Sequence, residues 1–128
     1  MNANSKPPIS PHLQIYRLPL SALLSITHRI TGVVLAFGAV LLVLLLASAA
    51  DGAKSYAGFI PHLQSWYGQL MLLGIVFSLY LHFCNGIRHL FWDVGKGFEL
   101  ETVDLTAKLA IGIAILLTIA TWLVAAAR

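Results

Sequence analysis

Within residues 81–93, His82, Asn85, Gly86 and His89 recur at i, i+3, i+4 and i+7, the interval that places them on one face of an α-helix. They lie at the end of a long apolar segment. A polar face in hydrocarbon is costly unless it meets a partner, so an imidazole there reads as a ligand, a proton relay or a packed interface residue. Imidazole nitrogen is a good axial ligand for haem iron, and Gly86, one turn from His82, has no side chain to hold off a flat, bulky group. A b-type haem on His82 fits both features; a structural histidine satisfied by its own surroundings is the competing reading.

A second polar face repeats the interval over residues 25–32, with Ser25, His28, Arg29 and Gly32. A quinone carbonyl needs a hydrogen-bond donor and its reduction intermediate is negatively charged, so a hydroxyl one turn from a guanidinium suits quinone binding. The plainer alternative has Arg29 snorkelling to lipid headgroups and His28 filling a packing gap. His82 stands six positions before Arg88, which at 1.5 Å per residue sets it roughly 9 Å below that polar boundary. That depth suits an iron. His28 reads as too shallow to face His82 across a porphyrin, so the second axial histidine is expected from another subunit. The shallow groups His28, Arg29, Arg88 and His89 are then expected to meet the haem propionates, whose charge would offset the burial of theirs. Cys84, the single cysteine, reads as a small core residue and implies no redox compartment.

Both faces must be carried by membrane helices. Of the 128 residues, 59% are hydrophobic and only 10% charged, a balance foreign to a soluble domain of this length. Three stretches of roughly 20 residues almost free of charge are each long enough to cross a ~30 Å hydrocarbon layer. The expected fold is an all-α integral membrane protein, a single anchor domain over 1–128 with transmembrane helices at about 21–49, 66–92 and 105–126. So small a bundle has little interior, so a bulky cofactor is expected to sit against another chain.

Residues 1–20 are polar and proline-punctuated, without the apolar core of a signal peptide or the Arg-rich pattern of a transit peptide. A bacterial inner membrane is therefore expected in preference to the mitochondrial one. Residues 10–17 suit either a solvated tail or a docking strand. Residues 51–64 read as a short connection broken by Gly52, Gly58 and Pro61, and Trp66 with Tyr67 marks a membrane interface. Residues 94–106 read as a mixed-charge turn in which Gly95 and Gly97 break the helix. The third helix reads as scaffold, packing through Gly112, Ala114 and Ala120 with Trp122 at the far interface, while Gly32 and Ala36 suit a close helix neighbour. Its lack of a mid-depth polar face weighs against a transporter or proton channel.

The formal charge of +3 comes from scattered basic residues with no run among them, which excludes a nucleic-acid partner. Lys6, Arg17, Arg29, Arg88, Lys96 and Lys108 fall on one side of the expected membrane, and Lys54 and Arg128 on the other. The positive-inside rule then places the N-terminus in the cytoplasm and the C-terminus on the opposite side. Both polar faces open toward the basic side.

Taken together, Ser-Pro-His-Leu at 10–13 with Tyr16, Ser-Ile-Thr-His-Arg-Ile-Thr-Gly at 25–32, His-Phe-Cys-Asn-Gly-Ile-Arg-His at 82–89 and Trp92 with Asp93 resemble the cytochrome b subunit of succinate dehydrogenase, the larger membrane anchor of respiratory complex II. The resemblance spans nearly the whole chain. It implies partnership with a second small membrane-anchor subunit, an iron–sulfur subunit and a flavoprotein subunit, with electrons from succinate passing through FAD and iron–sulfur clusters in the partners to ubiquinone. It further implies one haem b between the two anchors, with His82 the axial ligand from this chain. Ser25 and Arg29 match quinone-site residues, His28 and Arg29 groups near the propionates, and His89 a histidine near the haem. The chain alone is not expected to be catalytic. Two neighbouring readings remain: the anchor of a quinol:fumarate reductase, and a haem-free membrane tether.

Overall fold

The computed structural model describes residues 16–127, all of whose regular structure is helical. Residues 10–15 of the candidate docking segment, Lys6 and Arg128 lie outside the described residues. Helix α1 runs Leu20–Asp51, α2 Ala53–Gln64, α3 Trp66–Asp93 and α4 Leu100–Ala126. Three of them, α1, α3 and α4, are long and apolar enough to cross a membrane.

Pro19, extended and without an N–H to leave unpaired, precedes the first turn of α1. Gly52, at φ 118° and ψ 174°, ends that helix in a conformation that a side chain would oppose. The expected connection over 51–64 is instead the helix α2. Phe59, Ile60 and Leu63 are partly covered while Lys54, His62 and Gln64 are exposed, which is a helical and not a loop pattern. Pro61 falls near its end, where the missing N–H frees only the Ala57 carbonyl. The Ser65 hydroxyl accepts from Gly68 N at 3.2 Å and caps α3.

The three long helices run up, down and up. A Cβ on Gly32 would meet His82 and one on Gly38 would meet Ile75, so α1 and α3 are antiparallel. Tyr80 Oη and Thr121 Oγ1 lie 2.8 Å apart, while Arg88 bonds to Thr106, so α3 and α4 are antiparallel as well. The start of α1, the end of α3 and the start of α4 therefore share one end of the bundle. Helix α4 begins five residues earlier than expected, after Glu99, because Glu101 in its first turn complements the helix dipole and favours helix over loop.

Buried Ala107, Ala110, Ala114 and Thr118 line α4 at intervals of three and four, and their small side chains let α3 approach closely. Leu24, Leu81, Ala107 and Ala114 form the packed centre, flanked by Leu20, Phe77, Tyr80 and Ile111. Of the expected packing residues only Ala114 is in this seam; Gly112 and Ala120 face outward. The remaining apolar surface is exposed, Phe37 at 72% among it, as a chain solvated by lipid or by other membrane helices permits.

A Cβ on Gly68 would collide with the His62 carbonyl oxygen and lie 2.7 Å from that of Leu63, both backbone atoms that cannot turn aside. Gly68→Ala should therefore open the α2–α3 corner at a cost of about 1–3 kcal/mol, read as a lower unfolding midpoint in mild detergent.

Candidate functional site

His28 on α1 and His82 on α3 are brought into ring contact, their centroids 3.9 Å apart and their planes 14° from parallel. His89, two turns beyond His82, tilts against His28 at 5.1 Å and meets the Trp92 ring edge-on at 5.0 Å. The site is thus a cluster of three imidazoles at the shared end of the bundle. Depth reasoning placed His28 above His82, whereas the structure sets them level. Helix α1 starts at Leu20, so His28 is already two turns into it, about 12 Å along at 1.5 Å per residue. Rings stacked this closely leave no space for a macrocycle between them.

The His82 ring is held by one nitrogen. Its Nδ1 lies 3.1 Å from the His28 carbonyl oxygen and 3.1 Å from Thr31 Oγ1, and Thr31 donates in turn to the His28 carbonyl at 2.9 Å. The other nitrogen, Nε2, makes no hydrogen bond among the described residues. Gly32 supplies the clearance: a Cβ there would lie 3.3 Å from His82 Cε1. At Gly86 nothing stands within 4 Å of the position a Cβ would take, so that part of the face is open. His28 Nδ1 is buried without a hydrogen-bond partner among the described residues, an orphaned polar atom that a site awaiting a further polar group would explain.

Ser25 is partly buried and Arg29 exposed, one turn apart on α1 at the same end. Arg88, expected with them on the rim, is turned the other way. It is 7% exposed and committed to α4, with Nε donating to Thr106 Oγ1 at 3.2 Å and Nη2 to the Val103 carbonyl at 3.2 Å. Its third nitrogen donates to Asn85 Oδ1, and its guanidinium lies 4.9 Å above the Trp92 ring. On a helix, position 88 is six residues and roughly 240° from position 82, so the two side chains leave α3 on different sides.

Asn85 and Thr31 are the residues that spacing alone undervalued. Asn85 is 1% exposed and donates to the Leu24 carbonyl at 3.0 Å while accepting from Arg88, so it joins α1 to Arg88 and through it to α4. Thr31 is 4% exposed beneath His82. The available signal was period: Thr31 follows His28 by three, as Asn85 follows His82. Cys84 is partly buried with a free thiol, in keeping with a packing role.

Replacing Asn85 by Leu keeps the volume and removes both bonds, leaving the buried Arg88 charge short of an acceptor. The expected cost is about 1–3 kcal/mol, seen as a lowered midpoint of thermal unfolding in detergent relative to the parent.

Comparison with known proteins bears on what this geometry serves. Residues 3–121 match the family described as succinate dehydrogenase/fumarate reductase transmembrane subunit. The chain is 39% identical over 118 residues to the succinate dehydrogenase cytochrome b556 subunit of Rickettsia felis, covering 92% of each protein. It is 39% identical to the cytochrome b556 subunit of Paracoccus denitrificans, covering 91% of this chain and 90% of that one. The mitochondrial succinate dehydrogenase cytochrome b560 subunit of Mus musculus is 36% identical over 90% of this chain and 69% of the mouse protein. With three antiparallel membrane-length helices and a match over almost its whole length, the chain belongs to the succinate dehydrogenase/fumarate reductase transmembrane subunit family.

Proposed function

We propose that the chain is the haem b-binding membrane anchor of a succinate:ubiquinone oxidoreductase in a bacterial inner membrane, with its N-terminus cytoplasmic. The observation that carries this reading is the state of His82, whose Nδ1 is engaged by the protein while Nε2 makes no hydrogen bond among the described residues, and at Gly86, one turn on along the same helix, nothing stands within 4 Å of the position a Cβ would take. A ligating histidine has this arrangement, one nitrogen bonded to the protein and the other left for the metal. The cytochrome b names of the relatives agree with it.

Bound there, a haem b would supply one-electron redox capacity in the membrane. In this reading His82 would hold its iron from this chain, and a second small anchor subunit would supply the further protein ligand, since His28 is stacked on His82. His28, Arg29 and His89 ring the same end of the bundle, where they would meet propionate charge. Arg88 is left out of that set because its side chain is buried and turned to Asn85, Thr106 and Val103. The Ser25 hydroxyl donates to a ubiquinone carbonyl, and the exposed Arg29 guanidinium offsets the negative charge that reduction develops there. The flavoprotein and iron–sulfur subunits, which carry FAD and the clusters and oxidise succinate, are tethered at this end, where the basic residues Arg17, Lys96 and Lys108 also lie.

His82→Ala should abolish the alpha and beta bands of b-type haem in the dithionite-reduced, purified complex. Unchanged bands would reject His82 as ligand, and a parent complex without them would leave a haem-free tether. Ser25→Ala and Arg29→Leu should each slow succinate:quinone reductase activity on the order of 10–100-fold while succinate oxidation with an artificial acceptor is preserved. Equal loss of both activities would instead indicate failed assembly.

A further inference from the structure

We propose that Thr31 is a positioning residue for His82, acting with the His28 carbonyl to hold the ring as its Nδ1–H tautomer. The inference rests on the haem reading above and specifies how this chain prepares the ligand. A carbonyl oxygen can only accept, so the 3.1 Å contact between His82 Nδ1 and the His28 carbonyl requires the ring proton to be on Nδ1. In a neutral imidazole the lone pair is then on Nε2, the nitrogen without a protein partner.

The Thr31 hydroxyl completes the arrangement. It donates its own proton to the His28 carbonyl at 2.9 Å, which leaves its lone pairs directed at His82 Nδ1 3.1 Å away. Two acceptors thus converge on one N–H. The next residue acts by absence, since a side chain on Gly32 would press on His82 Cε1 at 3.3 Å. The hydroxyl at position 31 and the bare backbone at position 32 together set the rotation and height of the ring, and the stacked His28 ring closes one of its faces. Thr31 is buried on α1 and bonds to nothing else on α3. A hydrogen bond from Nδ1–H raises the basicity of Nε2 and fixes the ring plane, so this contact would tune a bound iron without touching it.

The test compares Thr31→Val, which removes the hydroxyl at nearly constant volume, with Thr31→Ser, which keeps it, in the purified complex. Readouts are haem content, the low-spin ferric EPR signal and the midpoint potential from a redox titration. Thr31→Val is expected to show a shifted EPR signal and a displaced potential, and Thr31→Ser to restore both to parent values. Loss of haem from Thr31→Val but not from Thr31→Ser carries the same meaning. Parent values in Thr31→Val, or equal defects in both variants, overturn the proposal while leaving His82 as ligand. A parent complex devoid of b-type bands overturns the haem reading itself.

Discussion

Asn85 bonds the Leu24 carbonyl of α1 with its amide nitrogen and the Arg88 guanidinium with its amide oxygen, and Arg88 passes the connection to Thr106 and Val103 of α4. In a bilayer these groups have no water to fall back on, so each must find its partner inside the protein. Lipid is as apolar as leucine and gives the helices little reason to associate; polar bonds and close packing must do so. Among the described residues, the Asn85–Arg88 cluster is the one place where all three membrane-length helices are joined by hydrogen bonds. It also fixes their relative heights. With the Leu24 carbonyl held to Asn85, one turn further along α1 and one turn back along antiparallel α3 bring His28 alongside His82.

That register divides one polar face of α3 into parts with different fates. Asn85 is drawn inward, Gly86 is left open, and His82 and His89 meet His28. Arg29 and Arg88 illustrate the same division between two residues of one type. Arg88 is buried with no carboxylate paired to it among the described residues, its charge spread over three neutral acceptors and an aromatic ring. Arg29 is exposed at the same end of the bundle. The first serves the bundle; the second is free to serve something outside it, as the proposed quinone and propionate roles require.

The small seam along α4 explains why so short a chain can hold such a site. Ala107, Ala110 and Ala114 let α3 come close, and Thr118 returns its hydroxyl to the Ala114 carbonyl at 2.7 Å, leaving no polar group open in the seam. Almost everything else apolar faces away from the chain. A bundle of this shape places its histidines near a surface instead of enclosing them, as the proposed haem shared with another subunit requires.

Much of this was legible in the linear order of residues. Length and apolarity determine three membrane crossings, because a bilayer demands about 20 uncharged residues per helix. The i, i+3, i+4, i+7 interval by itself puts His82 with His89, and His28 with Arg29, on single helical faces, and the motifs over 25–32 and 82–89 suffice for the family. What period cannot supply is the relative height and rotation of two helices. Only the tertiary structure decided that His28 stacks on His82, that Arg88 turns to α4, and that residues 53–64 form a helix despite Gly58 and Pro61. It alone gave Thr31 and Asn85 their roles, since these lie in bonds to carbonyls of a neighbouring turn or helix. Those heights follow from pairing every buried donor with an acceptor, a condition on the bundle as a whole that no single stretch of chain contains.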